Sequence, residues 1–106
     1  MEPIDFEQLK KQYGEILVLE TDDAGGGQPT TLVFKKAEMP IVQHYFDTMT
    51  NESLFSAAKS LEMDLLVSPS LEEFSAYIFK NPCVVMDLMP ALRAWIGSKV
   101  FREKKV

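Results

Sequence analysis

The sequence has little of what most chemistry needs. Among 106 residues there is one cysteine, Cys83, and one histidine, His44. A single thiol excludes an intrachain disulfide, and one thiol with one imidazole cannot assemble the cysteine-histidine zinc sites of small domains. No run approaches the roughly 20 apolar residues that a spanning helix needs, and the opening MEPIDFEQ lacks the charged-then-apolar order of a secretory signal. These absences predict a cytoplasmic protein with no membrane contact, no metal and no cofactor. Basic residues are scarce too. Residues 1–98 carry 7 basic and 15 acidic side chains, a net charge of −8, whereas residues 99–106 carry 4 and 1, a net +3. A body this acidic repels nucleic acid. The basic end, KVFREKKV, suits phosphate or an acidic partner, or simply water.

What is present belongs to an ordinary folded chain, with 46% hydrophobic and 25% charged residues. The length suits one domain, residues 1–106, with a single core. Residues 3–13, PIDFEQLKKQY, place Phe6, Leu9 and Tyr13 on one helical stripe, with Pro3 in the first turn and Gly14 as a stop. EILVLET and TTLVFKK are rich in β-branched and aromatic residues and flank the turn-forming DDAGGGQP, so residues 15–36 read as a β-hairpin. Ile16 and Val18 face one side of the first strand and Leu17 and Leu19 the other. One face therefore needs cover, from the N-terminal helix or from a partner.

Residues 38–97 change to helical period. Val42, Tyr45, Phe46 and Met49 form one stripe, Leu54, Ala58, Leu61 and Leu65 the next, and Leu71, Phe74 and Ile78 a third, entered through a capping box of Ser70 and Glu73. The last, KNPCVVMDLMPALRAWIG, begins with Asn81 as N-cap and Pro82 at the first helical position. It carries Val84, Val85, Leu88, Leu92, Trp95 and Ile96, with a kink or break at Pro90 and an end at Gly97. That width predicts the central helix, with Cys83 as a buried thiol among valines. The expected fold is α+β and mostly α, an N-terminal helix and a hairpin followed by about four helices, with a basic tail at 98–106.

Catalytic patterns do not assemble. His44 shares the polar face of its helix with Gln43 and Asp47, which gives a metal at most two ligands where catalytic zinc takes three. DDAGGGQPTT lacks the Lys-Ser/Thr pair of a P-loop and leads into a strand, and it has neither the alternating oxygens nor the terminal glutamate of an EF-hand. Glu72 and Glu73 are explained by a helix N-terminus. Ser53, Ser56, Ser60 and Ser75 stand in no recognisable motif with a histidine. No enzyme is expected.

A hairpin whose second strand, TLVFKK, passes through AEMP into a helical half resembles the small tail assembly chaperones of tailed bacteriophages. The likeness extends to size, acidity, a strand ending in Phe and a base just before a proline, and segments such as LLVSPSLEEF and KNPCVVMDLMPAL, over about residues 15–97. Lys35 and Lys36 stand where an arginine is common. The resemblance implies a non-enzymatic role. Such a protein binds the long helical tape measure protein, keeps its apolar faces from aggregating and helps to recruit tail tube protein. Adaptable apolar surface suits that task, and unbranched methionine supplies it. Met63 and Met86 lie off the core stripes and Phe55 and Leu66 at their edges, so these four are the candidate partner-binding residues, with self-association through the hairpin as a further possibility. Two other classes fit the same sequence, a structural virion or head-tail joining protein and a small acidic host-directed adaptor or inhibitor. Particles that contain the chain in stoichiometric amount would favour the first of these.

Overall fold

A computed structural model describes residues 4–21 and 29–105. The hairpin turn at 22–28, the first turn around Pro3 and Val106 lie outside the described residues. The order is α1 (Phe6–Tyr13), β1 (Ile16–Glu20), β2 (Thr31–Lys35), α2 (Met39–Asn51), α3 (Leu54–Leu65), β3 (Leu66–Ser68), α4 (Leu71–Lys80), α5 (Val84–Asp87) and α6 (Met89–Trp95). The fold is α+β and mostly helical.

Side-chain caps set the starts of α1, α3 and α4. Asp5 accepts from the Gln8 N–H at 3.1 Å, Ser53 from Ser56 at 3.0 Å and Ser70 from Glu73 at 3.1 Å, so three helix starts are satisfied by side-chain oxygens. The Ser70 hydroxyl also donates to Glu73 Oε1 at 3.2 Å, so the two residues of the expected capping box are joined side chain to side chain as well. Gly14 ends α1 at φ 77, in the region where a side chain is strained.

The sheet has three antiparallel strands in the order β1-β2-β3. β3 is an addition to the expected hairpin. It follows α3 without a turn, Leu66 leaving helical geometry at ψ 127, and it pairs with β2 through Val33↔Ser68 and Phe34↔Leu66 across a register shift. A three-residue strand continuing an apolar helix has no periodicity of its own, and only the long-range pairing creates it. On the other side Leu17 stands opposite Phe34 and Leu19 opposite Leu32, so this face of the hairpin meets the helices. The face with Ile16 and Val18 is covered only in part. α1 packs against β1 but buries none of its own residues, and Val18 stays exposed.

α3, not the last helix, is the centre. It buries Ala57, Ala58, Leu61, Glu62 and Leu65 and packs against α2, α5 and β2. The expected last helix is two pieces. Asn81 closes α4, its side-chain amide donating to Tyr77 O at 3.0 Å, and residues 81–83 form the turn before Val84. Pro90 stands near the start of α6, where its missing N–H costs nothing, so the break falls at Leu88. The apolar stripe survives it: Val85, Leu88 and Leu92 are buried, and Val84, Trp95 and Ile96 pack against the core.

Cys83 is exposed, because the turn holds it outside the helix whose stripe was to bury it. Phe46, Leu54 and Leu71 are exposed as well, and Thr48 takes the inward place in α2, its hydroxyl donating to His44 O at 2.8 Å. Leu54 and Leu71 are the first residues of their helices, and Phe46 stands 100° around α2 from the buried Tyr45.

Candidate functional site

The junction between sheet and helices is a joint with a lock. Trp95 Nε1 donates to the Lys35 carbonyl at 2.9 Å, and the Lys36 ammonium lies 5.4 Å from the centre of the Trp95 ring and 3.1 Å from Glu15 Oε2. α6 is thereby fastened to the end of the hairpin. The Lys36–Glu15 pair is exposed and adds little stability of its own. His44 and Asp47 are on the exposed face of α2. Among the described residues no three side chains of the metal-binding kinds come together.

Among the described residues Glu62 is the one carboxyl group that the core buries completely. It is fully buried, and neither carboxylate oxygen has a hydrogen-bond partner. Desolvation raises its pKa from 4.5 to about 9, so it is a neutral acid at pH 7. Its place in α3, one turn from Ala58 and from Leu65, is closed to solvent.

The surface offers more than the interior. Between α3, α4 and the start of α5 runs a groove of roughly 310 Å³ with Phe55 and Phe79 among its walls, Ile78, Pro82 and Val85 as its apolar lining, and Lys59 and Ser75 as its polar groups. Phe79 is 87% exposed and Phe55 45% exposed. An aromatic held open in this way leaves in water area that folding would normally bury. Helical spacing explains why both rings are available: Phe55 precedes the buried Ala57–Ala58 pair, and Phe79 follows Ile78 by 100° around α4, off the inward stripe.

Of the four residues singled out by sequence, only Phe55 lines this groove. Met86 follows the groove residue Val85 in sequence and is exposed, but it is not part of the lining. Met63 and Leu66 are half-buried and pack against the core, Leu66 as the first residue of β3. Phe79 and Pro82 were missed. Phe79 had a legible signal, an aromatic next to a core position on a short capped helix. Pro82 had none, since its role depends on the turn that the sequence reading absorbed into a helix.

No curated protein matches the chain. Among solved structures, the uncharacterised protein rbstp2171 from Bacillus stearothermophilus is similar in fold, with a TM-score of 0.79 at 16% identity, covering 95% of this chain and 100% of that one. At that identity the likeness concerns the fold alone. A family model matches residues 9–104, nearly the whole of the described body and its basic segment, and the chain therefore belongs to the family described as Domain of unknown function (DUF6848).

Proposed function

We propose that this chain is a non-enzymatic tail assembly chaperone of a tailed bacteriophage, which holds the apolar faces of a helical tape measure protein in the groove between α3 and α4. The observation that carries the reading is the pair of open aromatic walls, Phe55 and Phe79, over an apolar lining. A groove of this kind takes the apolar face of an amphipathic helix, with the rings inserting between residues at i, i+3 and i+4. The resemblance in size, acidity and element order supplies the identity of that helix. Met86, exposed one residue after the groove residue Val85, would add a side chain that repacks against different sequences. The chaperone would act in the host cytoplasm and assist recruitment of tail tube protein.

Co-expression with the cognate tape measure protein tests this. The wild-type chain is expected to keep that partner soluble. The double variant Phe55→Ser, Phe79→Ser should fold normally and lose most of the effect, since two aromatic anchors of this kind are each worth on the order of 2 kcal/mol of binding. Equal solubility with and without the chain would remove the proposal. Recovery of the chain from purified particles at stoichiometric level would replace it with a structural role.

A further inference from the structure

We propose that the basic segment after α6 docks in a second groove on another copy of this chain, joining two copies by reciprocal exchange. The segment is built as a ligand. Gly97, at φ 99, ends α6 with bonds from Gly97 N–H to Ala94 O and from Ser98 N–H to Arg93 O. Beyond it Val100 and Phe101 are 92% and 90% exposed, between Lys99, Arg102, Lys104 and Lys105. Two adjacent large apolar side chains in water, enclosed by cations, are an anchor waiting for a socket with negative edges.

One groove supplies such a socket. It has a volume of roughly 270 Å³ and lies between the far end of the hairpin and the α5–α6 corner. Leu32, Val84, Leu88 and Ala91 are among its apolar lining, and Glu20 and Asp87 stand at it as exposed acids. Among the described residues neither acid is engaged in an ion pair. Unpaired acid singles out this groove from its neighbours: the groove of Phe55 and Phe79 presents Lys59, and the hollow beside Trp95 presents Lys10 together with Glu15, whose carboxylate is already paired with Lys36. The net −8 of residues 1–98 against the +3 of residues 99–106 adds a long-range attraction of the same sense.

The partner is a second copy because of where the segment leaves. The Ser98 bond carries the chain off the end of α6, beside Trp95 and Lys35, at the hairpin end opposite Glu20. To fill its own groove the segment would have to double back along α6. A second copy meets the same groove with the segment extended, and each copy then gives one segment and receives one, a closed two-fold arrangement. This contact is separate from the groove of Phe55 and Phe79 and does not depend on what binds there.

Sedimentation of the full chain across a wide concentration range, at low and high salt, tests the exchange. The expected result is a dimer whose dissociation constant rises with salt, because the attraction is screened within about 8–10 Å at physiological ionic strength. Phe101→Ser and Asp87→Lys should each weaken it by at least about tenfold. Arg102→Glu combined with Asp87→Lys should recover part of the loss. All of these positions are exposed, so the fold should survive, as checked by thermal melting. A monomer at every concentration overturns the proposal, including one whose segment is protected from proteolysis by its own groove. A dimer untouched by Phe101→Ser also overturns it.

Discussion

Replacing Glu62 by glutamine is expected to change the pH dependence of stability more than any other single change in this chain. In the folded state the carboxyl is buried, unpartnered and protonated up to a pKa of about 9, whereas the unfolded chain releases that proton near 4.5. Between those values the folded state holds one more proton than the unfolded state, so stability falls as pH rises, by about 1.4 kcal/mol per pH unit. The contribution is fully present below pH 4.5, is reduced by on the order of 3 kcal/mol at pH 7, and stops changing above 9. For a domain whose total stability is roughly 5–15 kcal/mol this is a large share. Glutamine has the same shape and cannot ionise. Urea unfolding of wild type and Glu62→Gln at a series of pH values between 5 and 8.5 should give curves that nearly meet at the acid end and separate steadily above it. Near pH 7 the variant should be ahead by about 3 kcal/mol, or more than about 10 °C in melting temperature. Parallel curves would refute the reasoning, since they would mean that Glu62 is ionised in the folded protein and has found a cation or water.

Trp95→Ala removes a half-buried indole and its bond to the Lys35 carbonyl, and should cost about 3 kcal/mol in chemical unfolding, near the lower limit for large aromatic truncations. Trp95→Phe should recover all but the roughly 1 kcal/mol of the hydrogen bond. Ser70→Ala breaks both contacts of the capping box and should lower stability by about 1 kcal/mol, measurable as a small drop in melting temperature. His44→Ala should change stability by less than about 0.5 kcal/mol and leave partner retention intact in a pull-down. A loss of retention in that variant would move the site to α2.

Local chemistry determined much of this protein before any packing was considered. The hairpin, the Ser70–Glu73 cap, the polar face of His44 and the inward stripes around Leu61, Phe74 and Leu92 all follow from rules that act within a few residues: strand propensity, capping geometry and the helical period. One of the two groove walls, Phe55, was legible on the same terms. The tertiary structure decided what local rules leave degenerate. Leu66–Val67–Ser68 became a strand because β2 had an unpaired edge for it to meet. Asn81 closes one helix instead of opening the next, since its amide can bond either way and the turn at 81–83 chose the first. Met63, which periodicity placed off its stripe, packs half-buried against the core, because the width of a buried face is set by how many neighbours crowd the helix. Glu62 is the extreme case. Nothing within a few residues marks it for burial, and only the convergence of α2, α5 and β2 on α3 left no path from its carboxyl to water.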